Sequence, residues 1–145
     1  MAEAVQGARS LASFGLFDGL DEAGRRHIEE RCRWRRYRTG QIILDRDSTR
    51  REVFFVAEGA VRVVNYTLSG REVAFADVAV GEYCGELAAI DGLPRTAGVR
   101  AVADSLVGVL PAEAFLDLLR TNAHVALRIL ERLVHVIRSC DDRIM

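Results

Sequence analysis

The region from residue 32 to residue 110 consists of short valine-rich segments separated by turn signals, and this pattern constrains the fold more than any other feature. Each segment is four to eight residues long, which is typical of β-strands. Glycine marks the turns at positions 40, 59, 70 and 81. The predicted strands are CRWRRY (32–37), QIIL (41–44), EVFFVAEG (52–59), AVRVVNY (60–66), REVAFADV (71–78), AGVRAV (97–102) and SLVGVL (105–110). Seven strands at this spacing predict a β-sandwich or a jelly-roll barrel.

The segment before the strands has a different pattern. Residues 1–10 are small and polar, and we interpret them as a flexible N-terminus. Residues 11–31 predict one or two short helices that are broken by glycines, and Asp21 is placed to cap the second of them. Residues 11–111 are therefore expected to form one unit, a jelly-roll-like β-roll with N-terminal helices, in an α+β fold that is mainly β.

Residues 112–145 change to a helical apolar period and predict one long C-terminal helix. Positions 126, 129, 133, 136, 140 and 144 approach the spacing of a coiled-coil seam. The helix either packs on the β-roll or forms a dimer seam. We favour the seam, because one face of the roll would not cover both the Leu130/Ile137 side and the Leu133/Val136 side. The pattern continues to the last residue without a stop signal, so we expect a fragment of a longer protein.

The composition limits the possible functions. The chain has 20 basic and 21 acidic residues and a net charge of −1, which gives no overall basic field for nucleic acid. The three cysteines and three histidines do not fall at metal-ligand or disulfide-framework spacing. No apolar run approaches the roughly 20 residues of a membrane helix, and no signal peptide pattern is present. We expect a cytoplasmic protein with no metal and, since no catalytic constellation is visible, not an enzyme.

The segment GELAAIDGLPRTAGVR, residues 85–100, places one acid and one arginine in an otherwise apolar and glycine-rich stretch. Arg95 offers a planar fork that suits two oxygens of one phosphate. Glu86 offers acceptors without a donor, so beside an anion it must face hydroxyl groups. A sugar that carries a phosphate satisfies both side chains. The alternative is that Glu86 and Arg95 simply pair with each other as a surface salt bridge.

The block GEYCGELAAIDGLPRTAGVRA, residues 81–101, resembles the phosphate-binding cassette of cyclic nucleotide-binding domains. The flanks are also similar: YRTGQIIL and REVFFVAEGAVRVV resemble the first strands of that family. The last 30 residues resemble the long C-terminal helix of the Crp/Fnr type of bacterial transcription regulators. The resemblance implies a β-roll that binds cAMP or cGMP.

The resemblance also implies roles for single residues. Glu86 would bind the ribose 2′-hydroxyl and Arg95 the cyclic phosphate. The remaining phosphate and ribose contacts would come from Gly85, Leu87, Ala88, Thr96 and Ala97.

The base is expected to meet two further places in the sequence. Thr96 follows the arginine, as it does in relatives that bind cGMP and in others that bind both nucleotides. Ser139, Cys140 and Asp141 align with the helical stretch that contacts the base in the bacterial activators. An acid at position 141 would accept two hydrogen bonds from guanine and one from adenine. We therefore expect binding of cAMP, cGMP or both.

We interpret the chain as the sensory domain of a Crp/Fnr-like regulator that forms a homodimer through its C-terminal helix. DNA would be contacted only by a further domain beyond this chain. The alternatives are a free-standing or channel-type cyclic nucleotide-binding module, and a β-roll that has lost ligand binding and serves only in dimerisation.

Overall fold

Two antiparallel sheets form the body of the computed structural model, which describes residues 9–46, 48–66, 69–93, 95 and 97–144. One sheet has the strand order β1-β8-β3-β6 and the other β2-β7-β4-β5. The strands within the described residues are β1 (Arg33–Tyr37), β2 (Ile42–Leu44), β3 (Val53–Glu58), β4 (Ala60–Tyr66), β5 (Glu72–Ala79), β6 (Tyr83–Cys84), β7 (Ala97–Ala101) and β8 (Ser105–Leu110). The mainly β, α+β prediction is confirmed. The two-residue strand β6, which pairs with Phe54 and Phe55, was not predicted.

Helices flank both ends of the roll. A 3-10 turn (Gly15–Phe17) precedes α1 (Glu22–Arg31); α2 (Glu86–Asp91) interrupts the strands; α3 (Ala112–Thr121) and α4 (Ala123–Ile144) follow them. The cap at Asp21 is confirmed, because its side chain accepts a hydrogen bond of 2.7 Å from the backbone N–H of Gly24. This bond satisfies one of the free N–H groups of the first turn of α1.

The two central strands of the first sheet, β3 and β8, contribute residues to both core clusters, and this explains their continuous apolar sequences. Phe54 points into the cluster between the two sheets, with Val56 and Val107. Phe55 points to the opposite face, where Phe14 and Phe17 of the N-terminal segment pack with ring centroids 5.7 and 5.5 Å from its own. The helices thus cover the outer face of this sheet and leave the second sheet to face the cavity described below.

The C-terminal region consists of two helices rather than the single predicted helix. Asn122 has an extended backbone conformation (φ −133°, ψ 93°), and its side-chain amide donates to the carbonyl oxygen of Leu118 at 3.2 Å. Its own carbonyl accepts from the backbone N–H of Ala126 and so helps to begin α4. A single asparagine ends one helix and starts the next without interrupting the apolar period, so periodicity alone did not indicate the break.

Two positions of the predicted dimer seam pack on the roll instead. Ile129 is buried in the core, and Leu133 is partly buried against it. A second apolar stripe faces outward at alternating three- and four-residue spacing, and about half or more of each side chain is exposed: Leu127, Leu130, Val134 and Ile137. One face of α4 thus packs on the roll, as in the alternative to a seam, while the second apolar stripe is exposed.

Candidate functional site

A cavity of about 470 Å³ lies between the second sheet, the turn from β6 into α2, and α4. Small-molecule sites typically measure about 300–1,000 Å³. The wall consists mainly of short apolar side chains of β4, β5 and β7, and the charged groups lie at the α2 side. The lining residues are Val63, Asn65, Ala76, Val78, Cys84, Gly85, Glu86, Leu87, Ala88, Asp91, Leu93, Arg95, Ala97, Val99 and Arg132.

Gly85 forms the turn from β6 into α2, where two features exclude a side chain. Its φ of +91° lies in the left-handed region that favours glycine. A Cβ atom at this position would lie 2.9 Å from Nη1 of Arg95, 2.9 Å from the carbonyl oxygen of Glu52 and 3.2 Å from the ring of Phe54. The missing side chain therefore lets β3 and the guanidinium of Arg95 approach the start of α2.

Arg95 is fixed by backbone carbonyl groups rather than by an acidic side chain. Nε donates to the carbonyl oxygen of Arg50 at 2.5 Å, Nη2 to that of Glu52 at 2.6 Å, and Nη1 to that of Gly85 at 3.4 Å. A guanidinium has five N–H donors, so two remain for a ligand. Burial lowers the pKa of Arg95, and the charge of nearby Arg50 lowers it further. A bound anion would stabilise the charged form of Arg95 and so raise this pKa again.

Glu86 is the first residue of α2, and its carboxylate is buried with one oxygen unpaired. Its side chain is one of two buried polar or charged side chains among the described residues, with 9% of the residue exposed. Oε2 has no hydrogen-bond partner. Burial raises the pKa of Glu86, while the charges of Arg132 and Arg95 and the residue's own backbone N–H lower it. A buried polar atom without a partner is rare in proteins, and Glu86 is one of the residues that line the cavity.

Arg132 of α4 also lines the cavity and was not predicted. Nη1 donates to the carbonyl oxygen of Tyr83 at 2.9 Å, and the guanidinium carbon lies 4.1 Å from the centre of the Tyr83 ring. One weak signal for it was present in the sequence: Arg132 lies next to Leu133, which belongs to the apolar stripe of the predicted helix. Position 132 lies outside the family motif, so the resemblance did not point to it.

Six of the ten predicted site residues line this one cavity: Gly85, Glu86, Leu87, Ala88, Arg95 and Ala97. Thr96 lies outside the described residues. Ser139 does not line the cavity, and its hydroxyl donates to the carbonyl oxygen of His135 in its own helix at 2.9 Å. Cys140 and Asp141 are helical positions of α4, but their side chains lie outside the described part of the chain.

The alternative salt bridge between Glu86 and Arg95 is absent among the described residues, where Arg95 is held by carbonyl oxygens instead. The same residues contain no group of three or more His, Cys, Asp or Glu side chains able to hold a metal ion. Within them, no helix has the length and apolar character to cross a membrane. Burial raises the pKa of the Cys84 thiol, which lines the cavity, to about 12. This thiol is therefore a poor nucleophile.

Comparison with known proteins identifies relatives of this arrangement. The profile of the family described as "Cyclic nucleotide-binding domain" matches residues 34–122. The regulatory subunit of the cAMP-dependent protein kinase of Mycosarcoma maydis is 33% identical over 91 residues, which cover 63% of this chain and 17% of the subunit. This chain thus spans only a small part of that curated relative.

Solved structures share the fold. The catabolite activator protein of Thermus thermophilus superposes with a TM-score of 0.80 at 29% identity, covering 89% of this chain and 61% of that protein. The sensor domain of the transcriptional regulator DNR of Pseudomonas aeruginosa superposes with a TM-score of 0.77 at 20% identity, covering 91% and 89%. The second likeness concerns the fold alone.

Replacing Gly85 by alanine is expected to lower the free energy of unfolding more than replacing Gly40 does. Both glycines have a positive φ, +91° and +87°, so both variants carry the strain of about 1–2 kcal/mol of a left-handed residue. Gly40 has no atom within 4 Å of the added Cβ, whereas Gly85 has three. Urea unfolding of the two variants isolates the effect of close packing. Equal losses would contradict the packing at the start of α2.

Replacing Glu86 by glutamine is expected to raise the melting temperature of the ligand-free protein at about pH 7.5 and to change it little at about pH 4. The folded-state pKa of Glu86 is raised, so the folded protein retains this proton above the pH at which the unfolded chain loses it. Stability is therefore lost as the pH rises from about 4.5 through the folded-state pKa. Glutamine removes this loss.

The matched control for this pH series is Glu131→Gln, because Glu131 is exposed on α4. Melting curves of both variants and the wild type are recorded across the same pH values. Two results would contradict the conclusion that burial of the ionised Glu86 is unfavourable. One is a Glu86→Gln variant that is less stable than the wild type at neutral pH, and the other is a melting temperature shifted equally at all pH values.

Proposed function

We propose that this chain, which belongs to the cyclic nucleotide-binding domain family, binds a 3′,5′-cyclic purine nucleotide as a sensory domain and not as an enzyme. The observation that carries the proposal is the buried carboxylate of Glu86, whose Oε2 has no partner, in the lining of a cavity that also contains Arg95. The unpaired oxygen gains most from a neutral hydroxyl, because a hydrogen bond to a charged group contributes about 1.5–3 kcal/mol.

The two ends of the ligand follow from the two side chains. The ribose 2′-hydroxyl donates to Glu86, and the cyclic phosphate accepts from the two free donors of Arg95. The N–H groups of Leu87 and Ala88 in the first turn of α2 support the anion, and Gly85 allows the close approach. The apolar side chains of Val63 and the neighbouring strands receive the remainder of the nucleotide.

Either adenine or guanine is accepted in this proposal. Thr96, Cys140 and Asp141 would decide between them, as the resemblance implies, and Ser139 would contribute only if α4 moved toward the ligand. The catabolite activator protein of Thermus thermophilus supports a role in a cytoplasmic transcription regulator, with α4 carrying the signal to further parts of such a protein.

Replacing Arg95 by alanine is expected to weaken nucleotide binding by about 2–5 kcal/mol, because the phosphate loses its charged partner inside the cavity. Arg100→Ala is the matched control: it lies on the same segment, and its side chain is 39% exposed and pairs with Glu72. Calorimetric titration of each variant with cAMP and with cGMP measures the loss and the preference for the base. Unchanged affinity of Arg95→Ala would refute the phosphate assignment.

The second apolar stripe of α4 supports a homodimer. Its four exposed residues, Leu127, Leu130, Val134 and Ile137, repeat at the spacing of a two-stranded coiled coil. In water, a surface of this kind favours association with a second copy of the same helix.

Replacing Leu130 by glutamate is expected to convert the dimer into a monomer, since it places a charge at the centre of the stripe. Arg128→Glu is the control, because position 128 is exposed and lies away from the stripe. Light scattering coupled to size-exclusion chromatography gives the mass of each variant. A monomeric wild type, or a Leu130→Glu variant that stays dimeric, contradicts the seam at these positions.

A further inference from the structure

Arg132 is the one residue of α4 among the described residues that line the cavity. Arg128 and Arg138 of the same helix are exposed. Arg132 is half-buried and reaches across from the helix to the first sheet. Its position therefore links the helix that would carry a signal with the turn that holds Glu86.

The link to the sheet consists of two contacts with one residue. Nη1 of Arg132 donates to the carbonyl oxygen of Tyr83 at 2.9 Å, and the guanidinium lies over the Tyr83 ring at 4.1 Å. Stacking of an arginine on an aromatic face adds to the hydrogen bond. Tyr83 is itself fixed in β6, where it pairs with Phe55, and its ring packs against Phe55 with centroids 6.0 Å apart. The anchor of Arg132 is thus part of the rigid core.

The same guanidinium also acts on Glu86, which lies three residues after its anchor. The positive charge of Arg132 stabilises the ionised form of Glu86, and more strongly than Arg95 does. Oε2 of Glu86 has no hydrogen-bond partner, and among the described residues the guanidinium of Arg132 donates to Tyr83 instead. Arg132 is therefore held by Tyr83 and attracted by Glu86, and a ligand hydroxyl that donates to Glu86 changes this balance.

We infer that Arg132 is the positioning residue through which occupation of the cavity acts on α4. This inference rests on the proposed nucleotide binding. A ligand shifts a conformational equilibrium only through contacts that differ between the two states. Arg132 supplies such a contact: a sugar hydroxyl that donates to Glu86 weakens the attraction between this carboxylate and the guanidinium, and α4 responds because the side chain is attached to it.

Hydrogen–deuterium exchange of α4 tests this inference with four proteins: the wild type, Arg132→Gln, Arg132→Lys and the exposed control Arg128→Gln. Glutamine removes the charge and the fork, whereas lysine keeps the charge. Exchange of residues 123–139 is measured without nucleotide and with cAMP at a concentration that saturates each protein. Saturation separates the response of the helix from any loss of affinity.

In the wild type and in Arg128→Gln, cAMP is expected to change the exchange of α4 to the same extent. In Arg132→Gln the nucleotide still binds, but the change falls to less than half of the wild-type value, and Arg132→Lys restores part of it. A full response of α4 in the saturated Arg132→Gln variant would overturn the inference.

The nucleotide-free arm distinguishes this inference from the proposed function. Without nucleotide, Arg132→Gln is expected to exchange faster than the wild type in α4, because the link to Tyr83 is lost, and Arg128→Gln is not. If the wild type binds no cyclic nucleotide, the proposed function fails, and the coupling role of Arg132 fails with it. If the wild type binds but α4 of Arg132→Gln exchanges as in the wild type in both arms, only the inference fails.

Discussion

One buried carboxylate oxygen without a hydrogen-bond donor sets the requirement that the site must meet. Glu86 lies at the start of α2 with 9% of the residue exposed, and its Oε2 is unpaired. Burial makes the ionised form of Glu86 unfavourable, and the positive charges of Arg132 and Arg95 offset only part of this effect. A ligand hydroxyl that donates to this carboxylate would stabilise its ionised form further. Without ligand, the protein is thus less stable than it would be with a neutral side chain at position 86, and it gains stability when a sugar binds.

The rest of the scaffold holds this carboxylate and the guanidinium of Arg95 at the same cavity. The residue just before strand β3, Glu52, contributes one of the three backbone carbonyls that fix Arg95. Arg51, just before this strand, donates to the carbonyl oxygens of Ala88 and Ala89 at 3.3 Å and so supports the end of α2. Both the helix and the arginine are therefore anchored to one buried sheet, and their separation does not depend on a contact between the two charges.

The sequence predicted the parts of this site that depend on local pattern. Seven strands followed from short valine-rich segments between glycine turns, and Glu86 and Arg95 followed from a compact motif. Strand β6 was missed because two residues carry no periodicity, and the break at Asn122 because one asparagine leaves the apolar stripe intact. Arg132 was missed because its contacts with Tyr83 join segments 49 residues apart. Such contacts are set by packing rather than by local sequence.

The central interaction is the hydrogen bond between the ligand's 2′-hydroxyl and Glu86. One thermodynamic cycle measures its contribution to the binding free energy. Calorimetry gives the affinities of the wild type and of Glu86→Ala for cAMP and for 2′-deoxy-cAMP. Loss of the hydroxyl is expected to weaken binding to the wild type by about 1.5–3 kcal/mol, as for a hydrogen bond to a charged group. The same loss is expected to change the affinity of Glu86→Ala little. Equal losses in both proteins, or none in the wild type, would contradict it.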